Sequence, residues 1–334
     1  MTTASVSKKN FLVRFLTMNT SNEAGGRDLP LWRQSLLQLL TLIIALEVLF
    51  PIMYIVTLSF SSSSARPSTL QLIPREISFV AYQQVLDRPT ANPVTFLELL
   101  RNSFFLSFGV GALALLVAVT AAYAFSRFKF KLRQVLMIMV FIPLLMPGVG
   151  LSTPLYLLMN SFRIIECAPG VIAVNPFTAC DATGRLLFNL RDSLLGVGIA
   201  MISGALPFAV WNLKGYLDTI PRELEEAAAI DGASPNQVFY LIVLPLAVPQ
   251  LAVTFFLGFI GHWQEFVLPW LFLTKPGDYT LSMTLYNMVG QYANAIPWNR
   301  FSAFAVIVAL PVAITYIVLQ KYITSGLTTG AVKG

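Results

Sequence analysis

Six long apolar stretches govern what this chain can fold into. They cover residues 36–59, 103–125, 135–158, 194–211, 251–273 and 301–323, and about 20 mostly apolar residues are what one helical crossing of a bilayer requires. Inside hydrocarbon every backbone N–H and C=O must be satisfied within the segment, so each stretch reads as a helix. The expected fold class is an all-α membrane protein with six transmembrane helices. Composition excludes a soluble globular chain, because 56% of the 334 residues are hydrophobic, 11% are charged and the mean hydropathy is +0.71. Soluble domains carry roughly 25% charge. The first stretch begins too late and runs too long for a cleaved leader, so it is expected to be retained.

Orientation follows from the basic residues beside the crossings. The connector between the second and third stretches holds Arg127, Lys129, Lys131 and Arg133 without an acid, and residues 1–35 carry Lys8, Lys9, Arg14, Arg27 and Arg33 against Glu23 and Asp28. Both segments are expected in the cytoplasm. An even number of crossings then puts both termini there, along with the loop over 212–247. The loop over 60–102 mixes Arg66, Arg75, Arg88 and Arg101 with Glu76, Asp87 and Glu98, and gives little bias. The net charge of +6 is accounted for by basic tails and loops of this kind.

The 212–247 loop is the one long polar interval whose residues are arranged by position. Pro221 suits a first helical turn, and Glu223, Glu225 and Glu226 place negative charge at the positive end of the helix dipole. Leu224, Ala227, Ala228 and Ile230 recur at helical spacing until Asp231-Gly232, where a left-handed residue ends the helix. Ser234 then stands as N-cap, Pro235 takes the first position and Gln237 completes a capping box, so a second helix begins at once. Two short helices about a glycine turn, with alanines at the centre, form a knob that another protein can approach closely. A DNA-reading helix-turn-helix has the wrong sign, since residues 214–245 hold five acids against two bases.

The same residues resemble the EAA motif of ABC importer permeases, E-A-A, three residues, G, nine residues, I-x-L-P. Glu226, Ala227, Ala228, Gly232, Ile242, Leu244 and Pro245 occupy every one of its positions, with Asp231 beside the glycine. Two further elements narrow the resemblance to the carbohydrate-uptake class. Trp263-Gln264-Glu265-Phe266 is similar to the W-N-E-F element of sugar permeases, and residues 320–334 follow the tail pattern Q-[KR]-Y-x-x-x-G-L-T-x-G-A-V-K-G. The likeness covers about residues 98–334 and departs over 160–190, where an insertion carrying Cys167 and Cys180 replaces a short external loop.

The resemblance implies a type I ABC importer transmembrane domain over 98–323, preceded by a first helix and external loop over 36–97 and followed by a cytoplasmic tail over 324–334. It implies a permease subunit for a sugar or sugar derivative in the cell membrane, forming half of a translocation pathway. The implied partners are a second, homologous permease subunit, two ABC ATPase subunits that receive the loop, and an external solute-binding protein; no nucleic acid is implied. No cofactor is implied on this chain, because ATP and magnesium belong to the ATPase.

The residues themselves agree with a chain that does no chemistry. There is no G-x-x-x-x-G-K-[ST], one histidine, His262, which is not part of H-E-x-x-H, and no base for a nucleophilic triad. A metal site is not expected. Glu47 and Glu265 are the ionisable residues within crossings, and with Gln264 they are candidate polar contacts inside the helix bundle. Pro143, Pro147, Pro154, Pro207 and Pro311 kink their helices. Cys167 and Cys180 either close a disulfide around a small external lobe or remain two thiols. Two alternative readings are an ion-gradient-driven secondary transporter, which needs paired ionisable groups at the midplane, and a non-transporting membrane scaffold.

Overall fold

A computed structural model describes residues 31–65, 70, 72–74, 76–168, 171–175, 185–291 and 296–331. The basic tail through Pro30, Cys180 and Val332–Gly334 lie outside the described residues. The chain divides into two units, residues 1–53 and 54–334. Helix α1 (Leu31–Ser59) is apolar and is exposed from Trp32 through Met53.

The second unit is built on three long helices, α3 (Phe96–Arg127), α6 (Leu194–Leu217) and α8 (Pro235–Gln264). Short helix α2 (Val80–Asp87) precedes α3. Helix α3 starts with a capping box, in which the Thr95 side chain accepts from the Glu98 N–H while Glu98 accepts from the Thr95 N–H at 2.8 Å. Ala114, Ala118 and Ala122 repeat every fourth residue on its buried face. Small residues at that spacing let helices approach closely where lipid offers no hydrophobic drive. Facing Ala118 and Ala122 on α6 are Ala209, Val210 and Leu213, and on α8 Val243 and Ala247, in one buried cluster.

The remaining helices flank this core. They are α4 (Arg133–Leu145), α5 (Gly148–Ser161), α7 (Glu223–Ile230), α9 (Val267–Phe272), α10 (Leu281–Gln291) and α11 (Trp298–Ala331). Among the described residues, five helices are long and apolar enough to cross a bilayer, and the pair α4 and α5, bent by 107°, makes a sixth when taken as one broken span. The anticipated third crossing is therefore present as two helices. Its break falls at Met146-Pro147, where proline removes a backbone donor and crowds the preceding turn. The anticipated fifth crossing likewise ends at Gln264, and α9 completes it after a bend at Glu265-Phe266.

One element was not anticipated. The 160–190 insertion holds a three-stranded antiparallel sheet, β1 (Arg163–Ala168), β2 (Val171–Asn175) and β3 (Arg185–Asn189), in the order β2-β1-β3. Its segments Arg-Ile-Ile-Glu, Val-Ile-Ala-Val and Leu-Leu-Phe are rich in strand-forming residues but too short to stand out beside the long helices. The backbone of Cys167 lies on β1, and since Cys180 falls outside the described residues, so does the question of their pairing.

Candidate coupling site

At one end of the bundle, residues 218–243 form the anticipated two helices about a turn. Glu223, Glu225 and Glu226 occupy the first turn of α7. The helix ends in a Schellman arrangement, with the Ala233 N–H bonded to Ala228 O at 2.9 Å and the Gly232 N–H to Ala229 O at 3.1 Å. Gly232 sits at φ +87, the one positive φ among the described residues. Ser234 and Gln237 then close the second capping box, the Ser234 N–H donating to Gln237 Oε1 at 2.8 Å, with Pro235 in the first turn of α8.

Between Phe239 and Val243 the backbone of α8 widens into a π turn. Pro245 is the cause, because it has no N–H for the Leu241 carbonyl and its ring crowds that group. A single wide turn just ahead of it absorbs the conflict.

Exposure divides the motif residues into two sets. Glu226, Ala227, Asp231, Gly232 and Pro245 face outward, whereas Ala228, Ile242 and Leu244 are half-buried. Val238 and Val243 are buried and anchor the start of α8 on α3 and α6. Of the eight residues on α7, Glu225 and Ala228 are half-buried and the rest are exposed.

Glu225 meets α3. Its Oε1 lies 2.6 Å from Arg127 Nε, with side chains 14% and 7% exposed respectively, and its Oε2 accepts from Tyr123 OH at 3.3 Å. Arg127 also donates through Nη2 to Ile220 O at 3.0 Å. Beside this pair, Ser126 Oγ donates to Asp218 Oδ1 at 2.6 Å, and Arg222 Nη2 donates to Ser126 O at 3.0 Å. Tyr123, Ser126 and Arg127 stand three and four residues apart, on one face of α3. Burial by itself would push the Asp218 carboxyl up, but the Lys214 ammonium, the Ser126 hydroxyl and the charge of Arg133 outweigh it and hold the group below the usual carboxylate value.

Sequence reasoning placed the loop and its outward residues but missed these inner partners. Arg127 counted only toward orientation and Glu225 only toward the helix dipole. The available signal was their opposite charge at the ends of two segments that must share one side of the membrane.

The other candidate residues lie elsewhere. Glu265 is half-buried at the end of α8, where its Oε1 accepts from the N–H groups of Val267 at 2.7 Å and Leu268 at 3.2 Å, capping α9. Gln264 is exposed, as is Glu47 on α1. Among the described residues no group of three or more acidic, histidine or cysteine side chains is placed to hold a metal. A cavity of about 120 Å³ lies between α3, α6 and α8, lined largely by glycine and alanine with Thr254 and His262, well below the roughly 300–1,000 Å³ of pockets that hold small-molecule ligands.

Comparison with known proteins bears on what this geometry serves. Residues 111–329 match the family described as the binding-protein-dependent transport system inner membrane component. The chain belongs to this family. Across most of its length it is 34% identical to the maltose/maltodextrin transport system permease protein MalG of Photorhabdus laumondii, covering 91% of this chain and 97% of that one. Against MalG of Escherichia coli K12 the identity is again 34%, over 89% of this chain and 94% of the relative. MalG of Vibrio vulnificus YJ016 is 38% identical over a shorter stretch, 53% of this chain and 60% of the relative. In fold, the chain is similar to a subunit in the crystal structure of a bacterial ABC transporter involved in the import of the acidic polysaccharide alginate, with a TM-score of 0.65 at 24% identity over 97% of this chain and 100% of that one. The expected fold class and the resemblance to carbohydrate-uptake permeases are borne out. The family consists of membrane transport subunits, and the chain is one of these and not an enzyme.

Proposed function

We propose that this chain forms half of the translocation pathway of an ATP-driven importer of a sugar or sugar derivative, and that α7 and the start of α8 receive the stroke of a separate ATPase. The observation that carries the reading is the arrangement of the loop. Its motif residues Glu226, Ala227, Asp231 and Gly232 lie on an outward surface with small side chains, while Glu225 and Val238 tie its inner side to the helices. Such a knob has room for a partner's cleft and a firm route for motion into the bundle.

The remaining parts of the assembly follow from the same reading. The basic connector at Arg127, Lys129, Lys131 and Arg133 supports a cytoplasmic position for the knob and for both termini. The cavity between α3, α6 and α8 is small, and a second one, of about 400 Å³, is lined mainly by apolar residues of α3 and α11, which favours a sugar path that is completed by a second permease subunit. An external solute-binding protein would deliver the sugar to the opposite end, where the insertion stands, and two ATPase subunits would supply ATP chemistry that this chain lacks. The relatives named for maltose and maltodextrin support a sugar as cargo. A gradient-driven carrier finds less support, because the Glu265 carboxylate is engaged with the backbone of α9.

Reconstitution tests the reading. Vesicles containing both permeases, the binding protein and ATP inside are expected to accumulate labelled maltose or maltodextrin only when the ATPase subunits are present. Uptake by the permease chains without them would overturn it.

A further inference from the structure

We infer that the buried Arg127–Glu225 pair is a positioning strut that makes α7 move with the end of α3 as one body. The inference rests on the coupling role proposed for the loop and specifies where its motion enters the helices. It starts from how little else attaches α7. None of its side chains is fully buried, and apart from Glu225 only Ala228 turns inward. Its apolar residues Leu224 and Ile230 are 46% and 86% exposed. Hydrophobic packing of this helix on the bundle is limited to Ala228.

The ionic contact is of a different kind. Arg127 Nε and Glu225 Oε1 form an ion pair 2.6 Å apart, nearly out of solvent, and neither atom makes a hydrogen bond among the described residues, so charge alone holds them together. The remaining Arg127 and Glu225 atoms are held by Ile220 O, Ser126 Oγ and Tyr123 OH. Arg222 and Asp218, on the segment leading into α7, reach the same turn of α3 through Ser126. Five polar links thus converge on one turn of one helix. A buried ion pair adds little stability compared with apolar residues of similar size, because desolvation offsets the attraction. What it does supply is register, since a charge held in a water-poor site has only one favourable partner position. Α3 is also the helix that packs against both α6 and α8, so a push on α7 delivered to α3 enters the centre of the bundle.

The test reads the strut itself in the assembled transporter. Spin labels are placed at Lys129, just past α3, and at Glu223, the first residue of α7 and outside the Glu226–Gly232 stretch; both positions are exposed. The wild-type pair is expected to give one narrow distance distribution, unchanged between the nucleotide-free complex and the complex trapped with ATP and vanadate. Glu225→Gln, which removes charge but not size, is expected to broaden it and to lower sugar moved per ATP hydrolysed on the order of tenfold. The exchange Arg127→Glu with Glu225→Arg is expected to narrow the distribution again and recover most of the ratio, which a loss of general stability would not do. Tyr123→Phe, which removes one hydroxyl and no charge, gives a milder broadening.

A wild-type distance that changes on trapping, or a Glu225→Gln distribution as narrow as wild type, overturns the strut. If the ATPase does not bind at all, the coupling reading has failed, and the distributions in the permease alone still decide whether the strut exists.

Discussion

Asp192 holds Thr274 through both carboxylate oxygens, accepting from its backbone N–H at 2.8 Å and from its Oγ1 at 2.9 Å. The contact ties the turn before α6 to the segment after α9, at the end of the bundle opposite the coupling loop, and Lys275 adds its charge at 3.5 Å. Nearby, Asn102 Nδ2 donates to Gly277 O at 2.7 Å and Ser103 Oγ accepts from the Leu281 N–H at 2.7 Å, so the same segment is also pinned to α3.

This clip gives a pH prediction. Burial would push the Asp192 carboxyl up, but the two bonds from Thr274 and the charge of Lys275 outweigh it and leave the group below its usual value. A carboxyl depressed in the folded state contributes stability above its unfolded value of about 3.9, and that contribution is lost as pH falls through the folded value. Asp192→Asn is expected to cost about 1–2 kcal/mol at neutral pH. Thermal unfolding in detergent should show the gap between the two proteins constant above about pH 5 and closing below about pH 4.

A steric prediction concerns Gly196, in the first turn of α6. A Cβ there would collide with the carbonyl oxygen of Leu190, a backbone atom that cannot swing aside. Gly196→Ala is expected to destabilise the protein by about 3 kcal/mol. Gly204→Ala, on the same helix with nothing within 4 Å of the added carbon, is expected to be neutral or to stabilise by about 0.5–1 kcal/mol. Paired unfolding curves distinguish the two.

Gly232 provides a different test, because a Cβ there would meet nothing within 4 Å and the whole cost lies in its φ of +87. Left-handed backbone costs a residue with a Cβ roughly 1–2 kcal/mol, least for asparagine. ATP-driven uptake is expected to fall in the order glycine, asparagine, alanine, valine at this position. Equal uptake in all four proteins would show that the turn does not set the shape of the knob.

The sequence made some of this legible and hid the rest for physical reasons. The two short helices about Gly232 were readable because their signals are local: Gly232 for the left-handed turn, Ser234 and Gln237 for the cap, Pro235 for the first position. The number of crossings was readable because hydropathy measures composition over a window. Direction within a window is not measured that way, so the 107° bend between α4 and α5 was legible only as a cluster of prolines. The sheet at β1–β3 was masked by segments of five or six residues. The partnership of Arg127 with Glu225 joins residues of two different helices, and no periodicity in either helix announces it.

The central claim is that power enters through the outward face of α7. Ala227 is exposed there, so Ala227→Asp should leave the fold intact and put a charge where a partner must approach. The decisive measurement is ATP-driven sugar uptake by vesicles carrying this variant, alongside the amount of ATPase that copurifies with it. At wild-type membrane abundance, the account predicts loss of copurifying ATPase and of uptake together. Normal uptake with the ATPase still bound would contradict it.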